Sequence, residues 1–225
     1  MDRAGRVSLD TVSVTAGLAT VRNHIATAGG DPDRVTVVAV TKGFGPEAPR
    51  AAIEAGIVHL GENYAQELVA KAAVIGGEAS PVWHFIGGLQ RNKVRLLAPH
   101  VGLWETIDRV SLGAEVAQRA PGAAVLVQVN ISGEAAKSGC RPADAADLVA
   151  TLRDQGLEVR GLMGVPAAGD LDRARAQFGG LAELASALDL AELSMGMSAD
   201  LEAAVAEGAT IVRVGTALFG PRPPR

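Results

Sequence analysis

Cysteine is nearly absent from this 225-residue chain: Cys140 stands alone, which excludes an intrachain disulfide framework and fits a reducing compartment. Aromatic residues reach only 3%, and there is a single tyrosine, Tyr64. Positive charge is not in excess, since the formal net charge is -4, so nucleic acid is not an expected partner. No apolar run reaches membrane-spanning length, and the first residues lack the apolar core of a secretion signal. His, Cys, Asp and Glu nowhere fall at metal-ligand spacing, and neither a Walker loop nor a nucleophile elbow is present. No Pro/Ser-rich linker or charge run divides the chain. The expectation is one soluble, cytoplasmic domain over residues 1–225, with a flexible tail at 220–225.

What the chain does have is a repeating alternation. Short apolar, β-branched runs occur at residues 35–41, 58–61, 82–86, 103–107, 124–130, 158–164, 191–195 and 210–214. Amphipathic segments fill the gaps at 46–55, 64–75, 89–97, 110–119, 143–155, 171–188 and 199–206. Eight strand candidates with a helix in every gap predict parallel βα units closed into a (β/α)8 TIM barrel. Ahead of them, Val14, Leu18, Val21 and Ile25 form one helical stripe that Gly29 and Gly30 terminate, predicting an extra N-terminal helix.

In such barrels the functional face is built from the loops after the carboxyl ends of the strands. The first strand ends in Lys42, followed by Gly43, Phe44, Gly45 and Pro46. An ammonium there is costly unless it is paired or its pKa falls, and lysines so placed can form Schiff bases. The plainer alternative is a lysine that snorkels to solvent. At the other end of the chain, Ser194 to Ser198 and Arg213 to Thr216 bring small residues to the ends of strands seven and eight, a common phosphate site in barrels. Gly215 allows close backbone approach, and Ser198 and Thr216 add hydroxyls. Ser198 is also a good N-cap for the helix at 199–206. A phosphate cradle joined to an imine-forming lysine points to pyridoxal 5′-phosphate. Arg213 shares the inward face with Gly215, where it could meet the cofactor's ring nitrogen or pair with a barrel carboxylate.

Residues 193–219 resemble the carboxyl-terminal signature of the pyridoxal-phosphate homeostasis protein family (YggS/PROSC type). Further blocks resemble the same family in the expected order: Gly61 to Glu67, Trp83 to Lys93, Gln128 to Glu134, Lys137 to Gly139, and Gly161 to Met163. The resemblance implies an alanine-racemase-like barrel that holds pyridoxal phosphate as a Schiff base. By position Lys42 matches the imine lysine, Ser198, Gly215 and Thr216 the phosphate-binding residues, Arg213 the pocket arginine, and Asn63 and Met195 residues lining the cofactor. The loop Gly43 to Pro46 departs from relatives that carry threonine and then a bulky residue.

Other candidates have ordinary readings. His84 reads as a satisfied core histidine, Asn63 as a helix N-cap as readily as a cofactor contact, and Arg91, Lys93 and Arg95 as a solvated basic face. Cys140 reads as a bystander thiol. Two function classes remain. One is a racemase-like enzyme, which needs a second base opposite the lysine. In barrel racemases that base is a tyrosine from an appended domain, for which the chain after the eighth strand leaves no room. The other, which the resemblance favours, is a carrier and regulator in vitamin B6 homeostasis with little or no catalysis. Its expected partners are pyridoxal phosphate and pyridoxal-phosphate-dependent apoenzymes, with the chain itself monomeric.

Overall fold

The β-branched runs become strands and the amphipathic segments become helices in the computed structural model, which describes residues 10–75 and 81–222. The order is α1 (Thr11–Thr27), β1 (Thr36–Val40), α2 (Glu47–Glu54), β2 (His59–Glu62), α3 (Ala65–Val74), β3 (Val82–Phe85) and α4 (Arg91–Leu97). There follow β4 (Val101–Ile107), α5 (Val110–Arg119), β5 (Ala124–Val129), α6 (Ala145–Asp154), β6 (Glu158–Gly164) and α7 (Leu171–Ala187). The last elements are β7 (Glu192–Ser194), α8 (Leu201–Ala206), β8 (Ile211–Val214) and α9 (Thr216–Phe219). All eight strands pair in parallel and in sequence order, and β1 closes on β8 with Ala39 opposite Val214. This is the predicted (β/α)8 barrel. Among the described residues no helix is long and apolar enough to cross a membrane.

Strand parity sorts the side chains. Ala39, Leu60, Trp83, Phe85, Trp104, Val125, Val127, Leu162, Leu193, Val212 and Val214 belong to the core between sheet and helices. Val38, Leu103, Leu126, Met163 and Ile211 form a separate cluster inside the barrel. The inward parity runs on past the strand ends through Val40 to Lys42, through Gly61 to Asn63, and through Arg213 to Gly215. Gly61 keeps this interior from overfilling: a Cβ there would lie 2.9 Å from Val38 and 3.1 Å from Ile86.

The N-terminal helix completes the outer layer. Asp10 caps α1 by accepting from the Ser13 amide at 2.7 Å, and Val14, Val21 and Ile25 are buried. Its neighbours are α2, α8 and α9. Because α9 has only four residues, the space outside β8 would otherwise be open. Gly17 makes the fit possible, since a Cβ there would run into the Ala217 carbonyl. The sequence pattern extends this helix over about residues 8–28; its first two positions, like residues 223–225 of the tail, lie outside the described residues.

Candidate functional site

A cavity of about 380 Å³ opens at the carboxyl ends of the strands. That volume falls in the range of small-molecule sites. Lys42, Asn63, Ser198, Arg213, Gly215 and Thr216 all line it, so six separate sequence positions converge on one space. Its walls include the basic residues Lys42, Arg213 and Arg222, and no aspartate or glutamate stands among the described lining residues. The apolar part comes from Val40, Phe44, Ile86, Met163, Val165 and Met197.

The backbone on both sides of Lys42 is held by a buried clamp. Lys71 on α3 donates to the Thr41 carbonyl at 2.8 Å and to Glu62 Oε1 at 2.5 Å. Thr41 Oγ1 donates to the same carboxylate oxygen at 2.6 Å. On the far side, the Gly43 amide donates to Glu67 Oε2 at 2.8 Å. Glu62 points outward with the parity of Leu60, so it contributes to this clamp from behind the cavity wall. Burial lowers the Lys42 pKa, the nearby charges of Arg222 and Arg213 lower it further, and Glu62 opposes them. Lys42 therefore keeps a larger neutral, nucleophilic fraction than a solvated lysine. Lys137, the other lysine near a strand end, donates to the Pro166 carbonyl at 2.9 Å and pairs with Glu134 at 2.9 Å.

Arg213 enters from β8 with its guanidinium fully buried. Nη1 donates to Ser194 Oγ at 2.6 Å and Nη2 to the Gly164 carbonyl at 3.0 Å. It also lies 3.9 Å from Glu105 Oε2 on β4. Arg213 lines the cavity and at the same time lies against a barrel carboxylate, as one of its two sequence readings had it. Ser198, Gly215 and Thr216 gather at one end, where Ser198 Oγ accepts from the Ala217 amide at 3.4 Å. The rings of Phe44 and Phe219, 5.5 Å apart, tie the Lys42 loop to that end.

The model for the alanine racemase N-terminal domain matches residues 14–223. A pyridoxal phosphate homeostasis protein of Pseudomonas aeruginosa is 43% identical over 213 residues, covering 91% of this chain and 92% of the relative. Its Escherichia coli counterpart is 40% identical over 228 residues, covering 93% and 97%. The chain belongs to the pyridoxal phosphate homeostasis protein family. Among solved structures, PipY of Synechococcus elongatus with pyridoxal phosphate bound superposes with a TM-score of 0.81 at 32% identity, covering 92% of this chain and all of PipY.

One family-derived placement needs correction, and two alternative capping readings fall away. Met195 does not line the cavity; it is fully buried in the sheet–helix core, because Ser194 takes the inward position on β7 and its neighbour must face out. Ser198 does not cap α8, which starts at Leu201 after Asp200. Asn63 does not cap α3 either: Tyr64 precedes the helix, and Asn63 Oδ1 is buried without a hydrogen-bond partner among the described residues. Gly87 packs against the Asn63 backbone, where a Cβ could not fit, and so sets Asn63 at the cavity wall.

Some site residues escaped the sequence reading. Arg222 lies in the proline-rich segment expected to be a loose tail, yet it lines the cavity beside Gly43. The Lys71 clamp was legible only as an i,i+4 pair with Glu67, which resembles any surface helix pair. Phe44 and Met197 carried no signal beyond ordinary apolar loop residues. Tyr64 lines a neighbouring cavity with Gln90 and Lys93 and is not part of the Lys42 cavity wall.

Proposed function

We propose that this chain binds pyridoxal 5′-phosphate, holds it as a Schiff base on Lys42, and serves as a carrier in vitamin B6 homeostasis rather than as an efficient catalyst. The observation that carries the reading is the make-up of one cavity: a half-buried lysine of lowered pKa, two arginines, a Ser198–Gly215–Thr216 cluster and no lining carboxylate. When bound, the cofactor supplies an aldehyde that an amine takes up reversibly. Lys42 provides that amine, and the Lys71–Glu62–Thr41 clamp fixes its backbone so that little ordering remains to be done on binding. Ser198, Gly215 and Thr216 suit a phosphate, with Arg222 beside Gly43 adding positive charge to the same cavity. Asn63 Oδ1, buried and unpartnered among the described residues, is an acceptor waiting for a donor.

Arg213 favours the carrier reading. A guanidinium beside the ring nitrogen keeps that nitrogen unprotonated by charge repulsion, and a neutral ring is a weak electron sink. The same arginine would thus hold the cofactor and restrain its chemistry. The lining offers no tyrosine, histidine or carboxylate as a second base. Delivery to pyridoxal-phosphate-dependent apoenzymes, by a monomeric chain in the cytoplasm, completes the reading.

The test compares wild type with Lys42→Ala by visible absorbance and by intact mass after borohydride. We expect a fixed adduct on wild type and none on the variant, with weaker noncovalent retention through the phosphate end. A fixed adduct of undiminished yield in Lys42→Ala refutes the assignment.

A further inference from the structure

The barrel interior contains a polar chain that the reading above does not use. On β2, His59 Nδ1 lies 2.9 Å from His84 Nε2 on β3. His84 Nδ1 lies 2.5 Å from Glu105 Oε1 on β4, and Ser194 Oγ on β7 donates to Glu105 Oε2 at 2.5 Å. Ser194 in turn accepts from Arg213. His84, Glu105, Ser194 and Arg213 are all buried. His59 is half-buried and, with the edge of His84, lines a second cavity of about 220 Å³ built from residues at the starts of the strands. One end of the chain is therefore at the barrel floor and the other at the mouth.

The hydrogens along this chain can run in only one direction. Burial raises the Glu105 pKa, but the hydrogen bond from His84, the charge of Arg213 and the hydrogen bond from Ser194 all favour the ionised carboxylate. An ionised carboxylate only accepts, so His84 Nδ1 and Ser194 Oγ must both donate to it. A neutral His84 then has a bare Nε2, which His59 Nδ1 must fill with its own hydrogen. That leaves His59 Nε2 as the one free basic nitrogen of the chain.

We propose that His59, His84, Glu105 and Ser194 form a positioning relay for Arg213, through which a proton taken up at the barrel floor loosens the guanidinium at the mouth. A proton from solvent binds His59 Nε2, and the Nδ1 proton of His59 passes to His84 Nε2. His59 ends neutral as the other tautomer, and His84 ends as an imidazolium against Glu105. One proton has entered and one positive charge has been gained. The carboxylate is now neutralised from the His84 side, so its attraction for Arg213 weakens. The charged and titratable groups facing His59 are Arg34 ahead of β1, His84 on β3, Glu105 on β4, Arg160 on β6 and Glu192 on β7. Burial and His84 lower the His59 pKa and Glu105 opposes them, so uptake occurs below the pH of an ordinary histidine.

The relay is a property of the protein alone, while its consequence for a bound cofactor rests on the pyridoxal-phosphate reading. The primary test therefore uses cofactor-free protein with nitrogen-15 histidine and arginine labels. We expect Nδ1–H tautomers at both histidines near neutral pH, and an Arg213 guanidinium signal that shifts with the same midpoint as the histidine pair. Ser194→Ala removes the hydrogen-bonded link and leaves the direct 3.9 Å Glu105–Arg213 approach, so it should diminish the Arg213 shift while the histidines still titrate, and His59→Phe should abolish the shared midpoint. An Arg213 signal that ignores the histidine midpoint in wild type overturns the relay, as does an undiminished shift in Ser194→Ala. If these signals behave as expected but no pyridoxal phosphate binds, the relay stands and the cofactor reading falls.

Discussion

Thr216 and Lys42 sit at opposite jobs in one small space, and single substitutions can tell them apart. Both line the cavity, and on the proposed function Lys42 would meet the aldehyde and the Thr216 hydroxyl the phosphate. Thr216→Val preserves shape and removes one donor. A lost charge-assisted hydrogen bond costs about 1.5–3 kcal/mol, which is roughly a ten- to hundredfold loss in affinity. The expected result is that loss for pyridoxal phosphate and little change for unphosphorylated pyridoxal, measured by fluorescence titration of both ligands. Equal losses would place the phosphate elsewhere. At this scale the sequence was informative wherever strand parity extends to the last residue, as at Lys42, Arg213 and Gly215. Met195 was placed by the family resemblance alone, and on the short strand β7 the structure turns it into the sheet–helix core.

Among the elements, α3 has the least obvious role. Its amphipathic pattern predicts a helix, and nothing in that pattern marks Lys71 as a buried cation holding the carbonyl before Lys42. Removing one partner of a buried pair leaves the other charge uncompensated. Lys71→Ala should therefore destabilise the fold by about 3–5 kcal/mol in urea unfolding. The double variant Glu62→Gln/Lys71→Met removes both charges and should lose less stability than Lys71→Ala alone. If the double variant is the less stable of the two, the clamp is not an electrostatic unit. The same element shows why the fold was easier to read than the site. Helices and strands repeat a period that many residues report together, while a clamp depends on three side chains from separate elements meeting. The helix α9 was missed for a related reason, since four residues are too few to display a helical period.

For the molecule as a whole, the eight-strand count was enough to predict barrel closure, because a helical segment filled every gap between the strand runs. The chemistry expected of that barrel is modest. With Tyr64 outside the cavity wall and no carboxylate in it, α-proton exchange of L-alanine in deuterium oxide should stay slow in the cofactor-loaded protein. Proton NMR measures this directly. Loss of the α-proton signal at enzyme-like rates would restore the racemase reading. Arg213→Glu, compared at matched occupancy, should speed the exchange by letting the ring nitrogen protonate.

The cavity's one-signed wall has a consequence for how fast a ligand arrives. The chain carries a net charge of -4, so as a whole it repels an anion, yet Lys42, Arg222 and the buried Arg213 line the cavity, and no aspartate or glutamate stands among its described lining residues. Local and global fields therefore pull the association rate in opposite directions as ionic strength rises. Screening the whole-molecule repulsion would quicken capture of a phosphorylated ligand. Screening the attraction at the mouth would slow it. Fields fade over about 8 Å at physiological salt, so the nearby cations should dominate the final approach. Stopped-flow capture of pyridoxal phosphate is expected to slow as sodium chloride is added, and the Arg222→Gln variant should flatten that slope. A rate that climbs with salt would mean that the molecule's overall charge, and not its entrance, governs the encounter.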